Sequence, residues 1–475
     1  MANGSFDIIR AKLATHDQEH LLTFFPELAP EQQERLGDQL EQIDFGRLDG
    51  LIERHVRRPV EPTVAKDLQP ASFYSRDPGD AYDADHYRRV GQDLIRAGKV
   101  AAFCVAGGQA TRLGWGGPKG TFPATVVTGK PLFRVLAEQV VATRERYGVV
   151  IPLYVMTSPL NDAATRAFMQ DNNCFGLLRR NLFMFPQGLV PSFSAETGRL
   201  LLADKGTVAT NPDGHGGSLR ALAASGALDD MRARGVEHIS YFGVDNPLIK
   251  TIDPLFLGLH AEAPDSSAEI SSKMVEKTRP EEKVGVFCRA DGKTTVVEYI
   301  NLPQDLAGKR RDDGRLCFNA GNIANHILSV QFVGELNSGG SFALPLHPAL
   351  KTVPYVDPDT GRTVEPAEPN AIKLESFVFD ALPLARSPIV FETSRQEEFA
   401  PIKNATGEDS PATSHQLQSD RSGAWLESFG VTIPRDDDGH VAAAIELSPL
   451  TVLEREDLAR IKLPAEIQRG ESVVL

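Results

Sequence analysis

The chain has 475 residues, a formal net charge of −14 at pH 7 and 41% hydrophobic residues. This length exceeds what one compact core normally supports, so we expect two or three lobes. The negative charge argues against nucleic acid or an anionic membrane as a partner, because both require a positive surface.

Cysteine usage and the apolar runs suggest a cellular compartment. The four cysteines lack the paired spacing of a metal site, and Cys104 lies in an apolar run, where we predict a buried thiol. The N-terminus has no basic-then-apolar signal pattern, and no apolar run is long enough to span a bilayer. We therefore expect a reduced, soluble, cytoplasmic protein, and the sequence leaves its oligomeric state open.

The first 95 residues have helical spacing and no candidate chemistry. Helical periodicity covers His20–Phe25, Pro30–Leu40 and Leu48–Val56. The stretch from Pro59 to Pro78 contains further prolines and is predicted to be an extended connection. Residues 1–95 are thus predicted to form an N-terminal helical lobe.

From about residue 96, strand and helix patterns alternate. This alternation predicts parallel strands with covering helices, an α/β fold that binds ligands beyond the carboxyl ends of its strands. We assign residues 96–387 to this central domain. The predicted strands are Val100–Ala106, Val149–Met156 and Ile239–Val244, and the predicted helices are Pro131–Tyr147, Pro159–Gln170 and Ser218–Arg234.

Beyond about residue 388 the composition becomes mixed. Short β-type runs, including Val441–Leu447, predict a small C-terminal lobe over residues 388–475. The acidic run Asp436–Asp438 is typical of a solvated turn rather than a metal site.

The first predicted strand runs directly into a candidate phosphate loop, Val105 to Lys119, which reads V-A-G-G-Q-A-T-R-L-G-W-G-G-P-K. Gly107 and Gly108 have no Cβ, so the backbone there can approach a ligand closely. Arg112 and Lys119 add two fixed positive charges beside the amides, a combination suited to polyphosphate. The string fits neither the P-loop pattern nor G-x-G-x-x-G, so it supports neither a P-loop NTPase nor a dinucleotide-dependent dehydrogenase.

Asp245 follows the strand Ile239–Val244 and is the candidate metal ligand. Mg²⁺ takes one or two carboxylates together with phosphate oxygens and water, so one aspartate is sufficient. Taken alone, Val244-Asp-Asn246 before Pro247 is more typical of an Asp that caps a turn. Because the carboxyl ends of parallel strands share one edge of a sheet, we expect Asp245 and the Gly107 loop to meet in one crevice.

The loop resembles the signature G-G-x-x-T-R-L-G-x-x-x-P-K of the eukaryotic-type UDP-sugar pyrophosphorylases. Further strings in matching order resemble the UDP-N-acetylhexosamine pyrophosphorylases over roughly residues 100 to 405. They are Pro186-Gln-Gly188, Asn211-Pro-Asp-Gly-His-Gly-Gly217, Val244-Asp-Asn246, Val275-Glu-Lys-Thr278, Val297-Glu-Tyr299, Phe318–His326, Ile372–Asp380 and Pro401-Ile-Lys-Asn404.

This resemblance implies a Rossmann-like, GT-A-like nucleotidyltransferase fold and a uridylyltransferase activity. The expected substrates are UTP and N-acetylglucosamine 1-phosphate, and the expected products are UDP-N-acetylglucosamine and pyrophosphate. The reaction would be a reversible in-line attack on the α-phosphorus without a covalent intermediate. The expected metal is Mg²⁺, with Mn²⁺ as a substitute.

The resemblance also implies roles for individual residues. Lys373 and Lys403 come late in the sequence, so the C-terminal part of the chain is expected to fold over the crevice like a lid. The i, i+2 spacing of Phe377 and Phe379 also suits one side of a strand. The expected catalytic residues are Arg112, Lys119 and Lys403; the nucleotide contacts are Val105, Ala106, Gly107, Gly108, Gln187, Gly214 and Lys373; the sugar contacts are His215, Glu298, Tyr299, Asn322, Phe377 and Phe379; and the metal ligand is Asp245.

His215 departs from the family pattern. The N-acetylhexosamine enzymes typically carry P-D-G-N-G-G, whereas related glucose-1-phosphate uridylyltransferases have Gly-His-Gly at this place. The strings F-V-F-D, E-K-T-x-P and P-I-K-N follow the N-acetylhexosamine branch. We therefore predict N-acetylglucosamine 1-phosphate as the substrate, with glucose 1-phosphate and N-acetylgalactosamine 1-phosphate as alternatives.

Two other classes of function compete with this interpretation. A non-catalytic nucleotide-sugar sensor could dispense with the metal carboxylate, yet Arg112, Lys119 and Asp245 are all present. A glycosyltransferase that consumes a finished nucleotide sugar would be expected to carry D-x-D after a strand, and the string here is Asp-Asn-Pro.

Overall fold

The computed structural model describes residues 3–57, 67–339 and 342–475. Its helices are α1 (Asn3–Thr15), α2 (Pro30–Gln42), α3 (Phe45–Ile52), α4 (Ala84–Arg96), α5 (Leu132–Tyr147), α6 (Asp162–Asp171), α7 (Gly217–Ala224), α8 (Ala227–Ala233), α9 (Pro254–Glu262), α10 (Gln304–Ala307), α11 (Val330–Leu336), α12 (Arg395–Glu398) and α13 (Pro411–Glu427). Its strands are β1 (Gln69–Pro70), β2 (Val100–Val105), β3 (Leu153–Thr157), β4 (Leu182–Pro186), β5 (Leu189–Pro191), β6 (Phe193–Ser194), β7 (Leu202–Asp204), β8 (Thr207–Val208), β9 (Thr210–Pro212), β10 (His238–Gly243), β11 (Ile270–Glu276), β12 (Val286–Ala290), β13 (Lys293–Val297), β14 (Ala320–Ser329), β15 (His347–Lys351), β16 (Tyr355–Val356), β17 (Thr363–Val364), β18 (Ala371–Glu375), β19 (Ile389–Glu392), β20 (Ala444–Glu446) and β21 (Ser472–Val474).

The described chain divides into two compact units. The first unit comprises the described residues of Met1–Thr63, Gly188–Gly217 and Leu344–Phe377, and the second comprises those of Val64–Gln187, Ser218–Ala343 and Val378–Leu475. The lobe boundaries expected at residues 95 and 387 remain a prediction.

The first unit combines helices α1 to α3 with short antiparallel strands. Strands β15, β18 and β6 form a three-stranded sheet, and the pairs β5–β9, β7–β8 and β16–β17 form two-stranded ribbons. Apolar side chains of the helices, such as Leu13 and Leu36, pack in one cluster with Phe193 and Leu374 from the strands. The predicted helix at His20–Phe25 is a short 3₁₀ turn, Glu19–Leu22.

The second unit is built on a sheet that has ten strands among the described residues. Seven of them follow the order β1-β12-β14-β10-β2-β3-β4; in addition β13 pairs with β12, β11 with β14, and β19 with β11. Strands β10, β2, β3 and β4 are parallel, whereas β14 runs antiparallel to β10. Strand β2 is almost wholly buried, as its continuous apolar run predicts for the centre of a parallel sheet. The predicted α/β fold is confirmed.

Several predicted elements differ in extent from the observed ones. The predicted helix Ser218–Arg234 is two helices, α7 and α8, because Gly226 adopts a positive φ of 80° that ends the first of them. The predicted strand Val149–Met156 begins only at Leu153. The predicted extended connection Pro59–Pro78 lies partly outside the described residues, and its described part contains the short strand β1.

A buried charge cluster fixes part of the second unit. The Lys273 ammonium on β11 is 0% exposed and lies 2.6 Å from an oxygen of Asp253 and 2.6 Å from an oxygen of Glu398. Burial opposes ionisation of Asp253, but Lys273 and Lys250 outweigh it and lower the pKa of that carboxyl. Since each charge of the cluster has an opposite partner, removing one would leave the others buried without compensation.

The C-terminal residues form a small substructure of the second unit. Helix α13 begins at a capping box in which the Ser410 hydroxyl accepts the Thr413 amide, and β20 pairs with β21 in parallel. Apolar residues including Trp425 and Ile445 form a separate core there. The predicted β-run Val441–Leu447 contains β20, and Asp436–Asp438 lies in a turn closed by the Gly439 amide on the Asp436 carbonyl. No helix of the described residues combines the length and apolarity needed to cross a bilayer.

Candidate active site

The parallel strands of the second unit end side by side. Val105 of β2 is in register with Gly243 of β10 and with Met156 of β3, and Met156 is in turn in register with Phe185 of β4. The segments that follow β2, β10 and β4 therefore leave the same edge of the sheet. These segments carry the Gly107 loop and Asp245, as the sequence pattern predicts for the carboxyl ends of parallel strands. They also carry Gln187, which follows a strand that the sequence analysis did not predict.

The phosphate loop closes on itself through backbone contacts. Gln109 and Pro118 pair in an isolated antiparallel β-bridge, and the Lys119 amide donates to the Gly108 carbonyl at 3.2 Å. A buried side chain that the sequence analysis missed holds the base of the loop: Asn161 Nδ2 donates to the carbonyls of Ala106 and Gly108 at 3.0 and 3.3 Å. Nothing in the local sequence marks Asn161, because its partners lie more than fifty residues earlier in the chain.

The two glycines of the loop serve different purposes. A Cβ on Gly107 would lie 2.7 Å from Gln187 Oε1, so Gln187 packs against this glycine. A Cβ on Gly108 would meet no atom of the protein within 4 Å. A side chain at Gly107 would thus displace the Gln187 amide, whereas Gly108 leaves an exposed backbone available to a ligand.

Lys119 and Asp245 form an ion pair. Lys119 Nζ donates to Asp245 Oδ2 at 3.3 Å, and the two side chains are 16% and 28% exposed. Burial opposes ionisation of Asp245, but the charges of Lys119 and Lys403 outweigh it and hold its pKa below the ordinary value. Asp245 is therefore an ionised, partly accessible carboxylate next to the phosphate loop.

The capping role that an isolated Val-Asp-Asn string suggested for Asp245 belongs to Asn246. Asn246 Oδ1 accepts the amides of Leu248 and Ala400, and its Nδ2 donates to the Glu398 carbonyl at 2.6 Å. The Asp245 carbonyl accepts the Ile402 amide at 2.9 Å. The Asn246 side chain thus makes the hydrogen bonds that stabilise the turn, and the Asp245 carboxylate pairs with Lys119 instead.

The remaining expected cations differ in their surroundings. Arg112 is exposed on a short 3₁₀ turn of the phosphate loop, Thr111–Leu113. Lys403 is the next residue after Ile402, whose amide donates to the Asp245 carbonyl. The Lys403 Nζ atom donates to Asp409 Oδ2 at 3.1 Å. Lys403 therefore lies close enough to influence Asp245 while carrying its own acidic partner.

Two of the expected sugar contacts, Glu298 and Asn322, lie next to Gly285 in the second unit. The backbone N–H of Asn322 donates to the Gly285 carbonyl at 2.8 Å, and a Cβ on Gly285 would lie 3.3 Å from Glu298 Oε1. Tyr299 follows Glu298 and is 40% exposed. Glu298 and Asn322, 24 positions apart in sequence, therefore border the same glycine.

Gly214, His215, Lys373 and Phe377 lie in the first unit. A Cβ on Gly214, which has φ +80°, would lie 2.3 Å from the Ser376 carbonyl oxygen, so the chain packs there only with glycine. The His215 and Phe377 rings lie 5.3 Å apart, and Phe377 stacks on His347 at 5.0 Å. The three rings thus form one aromatic cluster, with Phe377 between the two histidines. Lys373 lies on β18, paired with Ala349.

The strand interpretation of Phe377 and Phe379 is wrong. Strand β18 ends at Glu375, since the Ser376 amide and hydroxyl both donate to the Asp213 carbonyl. Phe379 is buried in a 3₁₀ helix, Val378–Leu384, and belongs to the second unit. The two phenylalanines therefore do not share one face of a strand.

Comparison with known proteins decides the family. A model of the UTP–glucose-1-phosphate uridylyltransferase family matches residues 79–423. The chain belongs to this family. Family membership confirms the resemblance to UDP-sugar pyrophosphorylases that the sequence motifs indicated.

Members named for N-acetylated sugars are similar over nearly the whole chain. The human UDP-N-acetylhexosamine pyrophosphorylase-like protein 1 is 36% identical over 482 residues, covering 95% of this chain and 93% of the relative. The UDP-N-acetylglucosamine pyrophosphorylase of Saccharomyces cerevisiae is 32% identical over 462 residues, covering 94% and 95%.

Solved structures of the family have the same fold. The UDP-N-acetylglucosamine pyrophosphorylase of Trypanosoma brucei, solved with an inhibitor, superposes with a TM-score of 0.80 at 27% identity, covering 96% of this chain and 94% of that one. The UDP-glucose phosphorylase of Trypanosoma brucei gives a TM-score of 0.60 at 17% identity, covering 86% and 82%, and shares the fold alone.

Proposed function

We propose that this chain is a uridylyltransferase that makes UDP-N-acetylglucosamine and pyrophosphate from UTP and N-acetylglucosamine 1-phosphate. The observation that carries the proposal is the Lys119–Asp245 pair beside the open Gly108 backbone. A fixed cation, exposed amides and an ionised carboxylate at one sheet edge are what a metal–triphosphate complex requires.

The reaction needs positioning and charge neutralisation rather than a general base. A sugar 1-phosphate has a second pKa near ~6, so its attacking oxygen is already mostly ionised at neutral pH. It attacks the α-phosphorus of UTP in line, and pyrophosphate leaves from the opposite side without a covalent intermediate. Arg112, Lys119 and Lys403 are proposed to bind phosphoryl oxygens and to stabilise the charge that develops in the transition state.

The donor set fits a Mg²⁺ ion, or Mn²⁺ in its place. Among the described residues no group of three His, Cys, Asp or Glu side chains could hold a metal. We propose that phosphate oxygens and water supply the other ligands, which is the coordination that Mg²⁺ prefers. Asp245 would hold the ion, which would neutralise the triphosphate. Because Lys119 contacts Asp245 Oδ2, its ammonium and a metal ion would compete for the same carboxylate.

Uracil recognition is assigned to the segment Val105–Gly108 together with Gln187 and Gly214, with Lys373 as a further nucleotide contact. Gln187 is buried and lies against Gly107, which fixes its amide at the strand end. An amide supplies both a donor and an acceptor, the pattern that one edge of uracil requires.

For the sugar, we propose contacts with Glu298, Tyr299, Asn322 and Phe379, and with the neighbouring rings of His215 and Phe377. Curated relatives named for UDP-N-acetylhexosamine or UDP-N-acetylglucosamine support the N-acetylated sugar. Glucose 1-phosphate is the second candidate, because His215 replaces the usual Asn of that branch, and N-acetylgalactosamine 1-phosphate differs only at one hydroxyl. We also propose that the protein acts in the cytoplasm.

The test is pyrophosphate release from UTP and Mg²⁺ with each of the three sugar 1-phosphates in parallel. We expect the highest kcat/KM with N-acetylglucosamine 1-phosphate and no release without a sugar phosphate. Asp245→Asn is the inactive control. Turnover mainly with glucose 1-phosphate would overturn the sugar assignment, and absence of release with all three would overturn the proposed activity.

A further inference from the structure

The segment that follows Lys119 forms a hairpin that is in contact with the C-terminal residues. We define the Phe122–Leu132 hairpin by its backbone contacts: Leu132 donates to the Phe122 carbonyl at 3.1 Å, and the Ala124 amide donates to the Lys130 carbonyl at 2.9 Å. Its tip is the turn from Thr125 to Thr128.

The side chain of Glu446, at the end of β20, binds this tip. Glu446 Oε2 accepts the amides of Val127 and Thr128 at 3.0 and 2.8 Å, and Oε1 accepts the Thr128 hydroxyl at 2.5 Å. The residue is 5% exposed. Burial opposes ionisation, but these donors outweigh it and lower the pKa of the Glu446 carboxyl. A charged side chain is thus buried and fully engaged with the hairpin tip.

Two further side chains of the C-terminal segment reach the same hairpin. Gln418 on α13 donates from Nε2 to the Ala124 carbonyl at 2.9 Å, and Lys130 Nζ donates to the Ser448 hydroxyl at 3.1 Å. The hairpin is therefore in contact with the C-terminal segment at its tip and on both of its arms.

The base of the hairpin is continuous with the turn that carries Lys119. The Phe122 amide donates to the Lys119 carbonyl at 3.1 Å. Gly120 lies directly under the Phe133 ring, where a Cβ would be 2.2 Å from a ring carbon. The turn Lys119–Thr121 is thus packed between α5 and the base of the hairpin, so a displacement of the hairpin would be transmitted to Lys119.

We infer that Glu446 is a positioning residue, which holds the Phe122–Leu132 hairpin so that Lys119 meets the phosphates of the substrate. This inference rests on the proposed uridylyl transfer. Glu446 has no part in the chemistry itself, and it acts only through the backbone that ends at Lys119.

The first test is a double-mutant cycle in kcat between Glu446→Ala and Lys119→Ala. When Lys119 is present, Glu446→Ala should lower kcat about 10-fold or more, because it displaces the contact between Lys119 and the phosphates. In the Lys119→Ala background the same change should lower kcat by about two-fold at most, because the residue through which it acts is gone. Equal losses in the two backgrounds would overturn the inference.

Asp457→Ala is the matched control. Asp457 is 6% exposed in the same C-terminal segment and accepts the amides of Leu453 and Glu454, but it contacts Arg146 rather than the hairpin. The Asp457→Ala variant should lose thermal stability, as Glu446→Ala does, but should keep the kcat of the wild type. Glu446→Gln, which retains an acceptor oxygen, should recover most of the activity if Glu446→Ala folds poorly.

Tryptophan fluorescence tests the position of the turn next to the hairpin without requiring turnover. The chain has two tryptophans, and Trp115 Nε1 donates to Thr121 Oγ1 at 2.9 Å, next to Lys119. In a Trp425→Phe background, Glu446→Ala should shift the Trp115 emission and Asp457→Ala should not; an unchanged spectrum would overturn the inference. If the wild type releases no pyrophosphate, the proposed activity is wrong, but the positioning role of Glu446 can still be tested. The double-mutant cycle is then measured as changes in the dissociation constant of UTP instead of kcat.

Discussion

Replacing Lys119 by Met should make the protein bind Mn²⁺ more tightly when no nucleotide is present. The ammonium now lies 3.3 Å from the Asp245 carboxylate that we propose as the metal ligand. At that separation the attraction is roughly 1.3 kcal/mol with the dielectric of water and roughly 5 kcal/mol at an effective dielectric of about 20. A metal ion at Asp245 must overcome this attraction before it binds.

The lower of these two values already corresponds to about a tenfold change in the dissociation constant. We therefore expect Lys119→Met to bind Mn²⁺ at least about 10-fold more tightly, measured by calorimetry or by the free Mn²⁺ resonance signal. The same variant should lose about 10²–10³ in kcat, because its contact with the phosphates is gone. Gain in metal affinity and loss of turnover would thus occur in one protein.

The control is the same change in an Asp245→Asn background. There the substitution of Lys119 should leave Mn²⁺ affinity unchanged, since the carboxylate for which lysine and metal compete is absent. Unaltered Mn²⁺ affinity in the single Lys119→Met variant would refute the reasoning. It would mean that the metal binds elsewhere or that the ion pair opens without cost.

Four further outcomes are expected. Gly108→Ala should keep the thermal midpoint of the wild type and bind UTP more weakly by calorimetry, since its Cβ meets only a ligand; unchanged affinity would place the triphosphate elsewhere. His215→Asn should raise the kcat/KM ratio of N-acetylglucosamine 1-phosphate to glucose 1-phosphate, and a constant ratio would leave the choice to other residues. Lys273→Met should lower the free energy of unfolding in urea by about 3–5 kcal/mol, because two buried carboxylates lose their cation; a smaller loss would mean that water reaches them. Burial holds the pKa of His260 well below 6.5, so its neutral form stabilises the fold above pH 6.5 and that stability is lost as the pH falls; the slope, at most about 1.4 kcal/mol per pH unit for this group, should diminish in His260→Gln.

The sequence was sufficient for those parts of the site that lie on single strand–loop units. Periodicity identified β2 and β10 within one or two residues, because a central parallel strand is a short apolar run with a sharp end. Turn chemistry then identified the phosphate loop, since Gly107 and Gly108 are visible in the local string. Consequently Asp245 and the loop could be predicted at one edge of the sheet before the strand order was known.

Elements that depend on packing were predicted less well. A helix was expected through Gly226, where a positive φ separates two helices. The i, i+2 spacing of Phe377 and Phe379 also suited one side of a strand, but hydrogen bonds from Ser376 to Asp213, far away in sequence, end that strand early. Periodicity reports the local preference of the chain, and in these cases a distant contact or a single backbone angle overrides it.

By itself the sequence determined the α/β class, the family and the residue types of the phosphate loop, because each is written in a contiguous pattern. Only the tertiary structure decided which side chains meet. The Lys119–Asp245 pair spans 126 positions, and Glu446 reaches the hairpin tip from 318 positions away. Such contacts depend on strand order, register and the packing of the C-terminal residues, which a local pattern does not encode, since the same residues could face different partners in another arrangement of the same elements.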